Sequence, residues 1–254
     1  MSRWFNYYAS GIEWSVTHAP HIDGIYYDGI GFDRLSFRRI RRLLDSRGAG
    51  ALIDIHTGEV EDAPSSVRYI GHFPFADSVW NGEGFRFELD RFYWLVDVSG
   101  IQHGISADRL GGDGLDVRGM AFAMTERNSD AAFGLWSFWD DYAINQTTMI
   151  GWWEDDSPVN VTIAQTAFSG LCAADTIVAT VFTAYSSHAI LVLASWCTAN
   201  ATARLAVDWP SLGFSRPHVS APAIAGVQPA SAVVDIGALQ VPPSGIILVA
   251  SESH

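Results

Sequence analysis

The sequence predicts an α/β domain built on a parallel sheet, followed by an antiparallel β-sandwich. In residues 1–150, apolar strand patterns alternate with helical patterns about every 25–30 residues, which is the spacing of βαβ units. Beyond residue 150, strand patterns follow one another without helices and are separated by Gly, Pro and Ser, as in a sandwich. We therefore expect two domains, 1–150 and 151–254.

The strands and helices of the first domain follow from hydrophobic periodicity. Helical spacing marks residues 4–18 and 34–48, and the second of these ends at Gly48, a usual stop residue. The strands are short apolar runs bounded by Gly or charged residues. They are predicted at 24–28, 51–57, 77–84, 104–110 and 119–125. Further helices are predicted at 87–99, where a strand also fits the pattern, and at 131–144.

The second domain has five strand-like segments and the two cysteines of the chain. The segments are 160–168, 176–185, 188–196, 202–209 and 245–253. Cys172 and Cys197 are too few for a disulfide scaffold or a zinc cluster. Two buried thiols are the favoured interpretation, and one bridge between neighbouring strands is the alternative.

Composition excludes several classes of function. The net charge is −13, so no electrostatic surface for nucleic acid is expected. No apolar run reaches the roughly 18 residues of a membrane span, and neither GxGxxG nor GxxxxGK[ST] occurs, so we predict no membrane partner and no cofactor. The first residues lack a signal layout, which leaves the compartment unknown, and a longer parent protein that is secreted or periplasmic remains open.

Polar and charged residues lie at or near the C-terminal ends of four successive predicted strands. They are Asp28, then Asp54 and His56, then Asn81 and Glu83, then Asp108 and Arg109. Chemistry gathers at the C-terminal ends of parallel strands because the loops there meet at one mouth. A carboxylate at such a place costs desolvation unless a ligand or partner repays it. The glycines around Asp28 allow close approach of a ligand.

Asp28 and Glu83 stand out as a pair of carboxylates, with Asp54 on the strand between them. Glycosidases use two carboxyl groups that flank the scissile bond, one as nucleophile or base and the other as acid. The structural alternative is that Asp28 caps the following helix or pairs with Arg34, and that Glu83 pairs with Arg86.

Several other residues are candidates for contact with substrate. Asp54 and His56 lie on the same side of a strand and could bind a metal, but metal-binding spacings such as HxH or HExxH are absent. Contact with sugar hydroxyls is favoured, and no metal is predicted. Aromatic side chains near the strand ends suit sugar faces and a packed core equally: Tyr26, Tyr27, Trp80, Phe85 and Trp94. The selected substrate-binding residues are Asp54, His56, Trp80, Asn81, Phe85, Asp108 and Arg109.

The segments "RWFNYYASGIEW", "DGIYYDG", "DSVWNGEGF" and "MIGWWEDDSPV" resemble glycoside-hydrolase-like proteins grouped near glycoside hydrolase family 123. The resemblance implies a TIM barrel with a C-terminal β-sandwich, acting on a glycan. It places Asp28 and Glu83 on the strands that hold the nucleophile and the acid/base of similar α-galactosidase-type barrels. Those barrels usually have Asp where Glu83 stands. The substrate-assisted hexosaminidases similar to family 123 have adjacent Asp-Glu, whereas Gly29 follows Asp28 here.

This alignment makes the strand 24–28 the fourth of a barrel, so the chain is expected to be a partial TIM barrel, about the last five βα units, from the C-terminal part of a longer enzyme. An incomplete barrel exposes sheet edges, which favours a homo-oligomer or an inactive fragment. The predicted function is hydrolysis of an oligo- or polysaccharide by Asp28 and Glu83. The alternatives are a non-catalytic carbohydrate-binding or structural protein, and a metal-dependent hydrolase that uses Asp54 and His56.

Overall fold

The structure, a computed structural model, describes nine segments of the chain. They are residues 3–29, 33–47, 50–57, 69–81, 89–110, 116–127, 133–164, 176–185 and 187–253. The chain forms two compact units. The first, here called the strand–helix unit, is Met1–Phe87 with Leu95–Leu110. The second, called the β-rich unit, is Glu88–Trp94 with Gly111–His254.

The strand–helix unit alternates helices with parallel strands. Its elements are α1 (Arg3–His18), β1 (Gly24–Asp28), α2 (Arg34–Asp45), β2 (Leu52–His56), β3 (Ser78–Asn81) and β4 (Ser106–Leu110), with 3-10 turns at Phe73–Phe75 and Ile101–His103. The strands pair in chain order, β1 with β2, β2 with β3 and β3 with β4, and each pairing is parallel. The predicted parallel strand–helix pattern is therefore confirmed for these elements.

Helix α2 begins where an acidic side chain caps it. Asp33 accepts hydrogen bonds from the backbone N–H groups of Leu35 at 2.9 Å and Ser36 at 3.1 Å, which satisfies donors that have no partner within the helix. The apolar side chains that α2 buries are Phe37, Ile40 and Leu44. The capping role considered for Asp28 therefore belongs to Asp33.

The sheet of the strand–helix unit has two different faces. Side chains of one face are buried, and Tyr27 of this face packs on Phe37 of α2 with ring centroids 5.0 Å apart. We call it the covered face; its buried members include Tyr27, Ile53, Ile55, Val79 and Ala107. The opposite side, the open face, is exposed or half-buried and carries Tyr26, Asp28, Asp54, His56, Ser78, Trp80, Ser106 and Asp108. This division follows from the two-residue period of a strand.

The β-rich unit consists mainly of antiparallel strands. Its elements are α3 (Arg91–Tyr93), a 3-10 helix at Val117–Phe122, β5 (Thr125–Arg127), α4 (Phe133–Asp141), β6 (Thr148–Ile150), β7 (Val159–Ile163), β8 (Ile177–Thr183), β9 (His188–Ser195), β10 (Ala201–Val207), β11 (Pro217–Ser220), β12 (Leu239–Val241) and β13 (Ser244–Glu252). Described residues form two antiparallel sheets, with strand orders β12-β10-β7 and β11-β13-β9-β8-β6. Both sheets contribute to one buried apolar cluster that includes Leu191, Leu205 and Leu248.

Two predicted elements take a different form. The predicted strand 119–125 is occupied largely by the 3-10 helix Val117–Phe122, whose start is capped by Asp116 accepting from the Arg118 N–H at 2.9 Å. The predicted helix 87–99 is shorter: α3 begins after the capping residue Asp90 and continues into a π-helical turn, Trp94–Val98. Side-chain capping fixed these ends locally, and hydrophobic spacing alone does not show it.

Two further expectations concern the state of the cysteines and the presence of membrane-spanning helices. Cys197 takes part in a disulfide, so the expectation of two buried thiols is wrong for this residue. Cys172, the other cysteine of the sequence, lies outside the described residues. Among the helices that the structure describes, none has the length and apolar character needed to cross a membrane.

Candidate active site

The register of the parallel sheet places four predicted site residues in one row. Asp28 of β1 pairs with His56 of β2, His56 with Trp80 of β3, and Trp80 with Asp108 of β4. The row lies toward the C-terminal ends of the strands, the edge where chemistry gathers in parallel folds. A second row, two residues earlier, contains Tyr26, Asp54, Ser78 and Ser106. The open face thus brings together residues from four strands.

Asp28 and His56 form a hydrogen-bonded pair at the end of this face. His56 Nδ1 lies 2.9 Å from Asp28 Oδ1. An ionised carboxylate can only accept, so the imidazole is the donor. The Asp28 side chain is 81% exposed, whereas that of His56 is 12% exposed. A largely buried imidazole therefore orients an accessible carboxylate. Arg34, considered as a partner for Asp28, has its guanidinium over the Phe75 ring instead, 5.7 Å from the centroid.

Asp54 serves two donors of the neighbouring strand. The Ser78 hydroxyl donates to Asp54 Oδ1 at 2.7 Å, and the Trp80 indole Nε1–H donates to Asp54 Oδ2. Both carboxylate oxygens are thus engaged by β3. Among the described residues, no group of three His, Cys, Asp or Glu side chains is arranged to hold a metal ion. Asp54 is placed to orient its neighbours.

Two aromatic rings, those of Tyr26 and Trp80, lie next to the Asp28–His56 pair on the open face. Tyr26 meets Trp80 edge-on, with centroids 6.1 Å apart and planes inclined by 75°, and stacks on His56 at 6.5 Å and 23°. Tyr26 is 50% exposed. Tyr26 and Ser78 are not among the site residues selected from the sequence. The two-residue period of the strands would have found both, because they share a face with Asp28 and Trp80.

Asn81 lies on the covered face. It is fully buried, and its side-chain amide donates to the Val98 carbonyl at 3.1 Å and to the Asp108 carbonyl at 3.5 Å. The structure therefore does not bring Asn81 together with the open-face residues. The same face carries Tyr27, whose phenol has a pKa raised well above its usual range by burial, and further by the charge and hydrogen bond of Tyr8.

The structure describes the remaining predicted site residues only in part. Asp108 is half-buried on the open face. Arg109 belongs to β4, but its side chain is outside the described part of the chain. Glu83 and Phe85 are also outside the described residues. The pairing of Asp28 with Glu83, and the separation of their carboxyl groups, therefore stay predictions.

Two family models match the chain, and solved structures resemble its fold. The models are glycoside hydrolase 123, TIM-barrel domain, over residues 1–129, and glycoside hydrolase 123, C-terminal domain, over residues 131–251. A crystal structure of an alpha-amylase from Geobacillus thermoleovorans, complexed with acarbose, matches with a TM-score of 0.53 and 8% identity. The alignment covers 98% of this chain and 64% of that one, and at this identity it shows likeness of fold alone. No curated protein sequence matches.

These matches bear on three predictions. The fold contains a TIM-barrel-type domain and a C-terminal domain, as the family models describe. The prediction that the chain represents only the C-terminal part of such an enzyme is not supported, because the two models together match residues 1–129 and 131–251. The predicted resemblance itself is confirmed: the chain belongs to the glycoside hydrolase 123 family.

Proposed function

We propose that the chain is a glycoside hydrolase in which Asp28 is the nucleophile or the carboxylate that stabilises the reacting sugar. One observation carries this proposal: the Asp28 carboxylate is 81% exposed at the C-terminal strand edge and is oriented by His56 at 2.9 Å. Membership of the glycoside hydrolase 123 family supports the reaction class. The acarbose bound to the alpha-amylase of similar fold supports a carbohydrate substrate, which we take to be an oligo- or polysaccharide.

The chemistry requires an accessible carboxylate at the anomeric carbon. Glycoside cleavage passes through a transition state that resembles an oxocarbenium ion, and a carboxylate stabilises this positive charge or forms a covalent intermediate. Because His56 donates to Oδ1, it fixes the rotamer of Asp28 and leaves Oδ2 to approach the sugar. Orientation of this kind matters because a misplacement of about 1 Å can cost about 100-fold in rate.

A second carboxyl group must protonate the leaving oxygen, and Glu83 is our proposed general acid/base. It follows the end of β3 by two residues in the sequence. If its carboxyl lies about 5–5.5 Å from that of Asp28 the enzyme retains the anomeric configuration, and at about 6.5–9.5 Å it inverts. Proton NMR of the first product anomer distinguishes the two.

The test is turnover of 4-nitrophenyl glycosides by the wild-type chain and by two matched variants. Asp28→Asn removes the charge with little change of shape and is expected to lower kcat/KM by about 1,000-fold or more. Asp33→Asn makes the same chemical change at the exposed cap of α2 and is expected to retain activity.

Chemical rescue adds a signature specific for a nucleophile. Sodium azide should restore turnover to Asp28→Gly and give a glycosyl azide if the enzyme is a retaining one. An Asp28→Asn variant with wild-type kcat/KM would refute the role of Asp28.

A further inference from the structure

We infer that Tyr26 and Trp80 form a two-walled platform for the C–H face of a neutral pyranose ring, and that Asp54 is the positioning residue that holds Trp80 in place. This inference rests on the proposed function, because it assigns the substrate class and the binding contacts of the same site. It assigns to Asp54 a contact with Trp80 where the sequence indicated a contact with sugar hydroxyls.

The geometry of the two rings makes the platform. Tyr26 and Trp80 are inclined by 75° at a centroid distance of 6.1 Å, so they form the two walls of a corner. Tyr26 is half exposed, and Trp80 is partly accessible. Aromatic faces carry negative charge density, and the axial C–H groups on one side of a pyranose are weakly positive and apolar. A sugar in the corner would lie beside Asp28, because Trp80 and Asp28 both flank His56 in the row toward the C-terminal ends of the strands.

Asp54 fixes one wall of this corner. Its Oδ2 accepts from the Trp80 indole N–H, while the Ser78 hydroxyl holds its Oδ1 at 2.7 Å. A hydrogen bond to an ionised group is stronger and more directional than a neutral one. Without Asp54 the indole would lose this anchor, and the ring could turn about its side-chain torsions. The role of Asp54 is therefore exerted through Trp80.

The charges of the open face select a neutral sugar. Among its described side chains, the acidic and basic groups other than the phenol of Tyr26 are Asp28, Asp54, Asp108 and His56, and none is Arg or Lys. Three carboxylates around one site repel a uronate or a sulfated sugar, because like charges at short range disfavour binding. The expected substrate unit is thus an uncharged hexopyranose.

The experiment measures binding separately from turnover. Wild-type chain and variants are titrated with the methyl glycosides of glucose, galactose, mannose and glucuronic acid, by saturation-transfer NMR and tryptophan fluorescence. At least one neutral glycoside should bind, and methyl glucuronide should bind about tenfold more weakly or not at all. Trp80→Ala and Tyr26→Ala should each raise the Kd for the neutral sugar about tenfold. Trp14→Ala, which removes a tryptophan 64% exposed on α1, should leave the Kd unchanged.

A double-mutant cycle tests the positioning role of Asp54. Asp54→Ala and Trp80→Phe both remove the indole–carboxylate bond, so each should weaken binding, and the double variant should be no weaker than the more affected single one. Additive effects would show that Asp54 acts independently of Trp80 and would overturn its positioning role. If Asp54→Ala fails to fold, Trp80→Phe provides the test by itself. Its Kd for the neutral sugar should rise while its circular dichroism spectrum remains that of the wild type.

The failure of this inference differs from failure of the proposed function. If the wild-type chain binds a neutral glycoside in a Trp80-dependent way but turns over no glycoside, the hydrolase proposal is refuted and the platform is retained. Turnover with a Kd that is the same in wild type and Trp80→Ala would overturn the platform. The platform is also overturned if none of the four glycosides binds, or if methyl glucuronide binds as tightly as the neutral sugars.

Discussion

A pair of glycines before β4 offers a sharp test of the structure of the strand–helix unit. Gly100 and Gly104 flank the 3-10 turn Ile101–His103, and both adopt left-handed backbone conformations, with φ of 72° and 67°. They differ in their surroundings. A Cβ on Gly100 would lie 2.8 Å from the carbonyl oxygen of Ile105, whereas a Cβ on Gly104 would meet no heavy atom within 4 Å. The same change to Ala therefore separates backbone strain from steric overlap.

The magnitudes follow from these two terms. An Ala in the left-handed region costs about 1–2 kcal/mol, and the more restricted unfolded chain offsets about 0.4–1 kcal/mol of this. Gly104→Ala should thus destabilise by about 1 kcal/mol or less. Gly100→Ala carries the same strain and an overlap with a backbone oxygen that cannot rotate away, which adds about 1–3 kcal/mol. The total for Gly100→Ala is about 1–4 kcal/mol.

Urea unfolding followed by far-ultraviolet circular dichroism measures these free energies. Gly11→Ala is the control that identifies the transition of the strand–helix unit. This residue lies inside α1, and beyond its chain neighbours and the backbone of its own helix no atom comes within 4 Å of the added Cβ, so Ala should stabilise by about 0.5–1 kcal/mol. If Gly100→Ala destabilises no more than Gly104→Ala, the close approach of Ile105 is not a feature of the protein, and the placement of β4 would need revision.

Three further predictions concern the site, the sheet and the β-rich unit. His56→Ala removes the donor that orients the Asp28 carboxylate, for which we propose the catalytic role, and because that carboxylate is exposed, kcat/KM should fall only about tenfold; an unchanged pH–rate profile and kcat/KM would contradict this role. Asn81→Ala leaves the buried Val98 carbonyl without this donor and should lower the free energy of unfolding by about 1–3 kcal/mol, with KM unchanged. The Ser215 hydroxyl holds the pKa of Glu252 below its usual range, so the stabilisation is present above the pKa of the unfolded state and is lost as pH falls through the folded one. The difference in melting temperature between wild type and Glu252→Gln should therefore be largest near pH 7 and should shrink as acid protonates the Glu252 carboxylate.

The presence of the first two strands could be predicted from the sequence, because a run of apolar residues is a local pattern. "GIYYD" and "ALIDIHT" are short apolar runs that contain or end at polar residues, and both form parallel strands. The first has the predicted ends, Gly24–Asp28, and the second is one residue shorter at each end, Leu52–His56. The row that joins Asp28 to His56 was only implied, because the register between two strands depends on their packing and is not encoded in either strand alone. The sequence could name both residues as site candidates, but it could not show that one is the hydrogen-bond donor of the other.

Asn81 illustrates information that was present in the sequence but was not used. Neighbouring residues of a strand point to opposite faces, so Trp80 and Asn81 could not both reach a substrate on one face. The cap of α2 is a different case. Asp28 and Asp33 both precede the helix, and only the start of the helix decides which carboxylate caps it: Asp33 lies immediately before Arg34 and accepts from Leu35 and Ser36.

Two aspartates of the open face, Asp28 and Asp54, differ in their hydrogen-bond partners. Asp54 accepts from Ser78 and Trp80, so its two oxygens are engaged and its charge is used to hold an aromatic ring. Among described residues, Asp28 accepts only from His56, at one oxygen, and its side chain is 81% exposed. A carboxylate that must attack or stabilise a sugar needs an oxygen free of protein donors, and a carboxylate that must position another group needs the opposite. From these hydrogen-bond partners we propose the reactive role for Asp28 and the supporting role for Asp54, although both occupy the same face of adjacent strands.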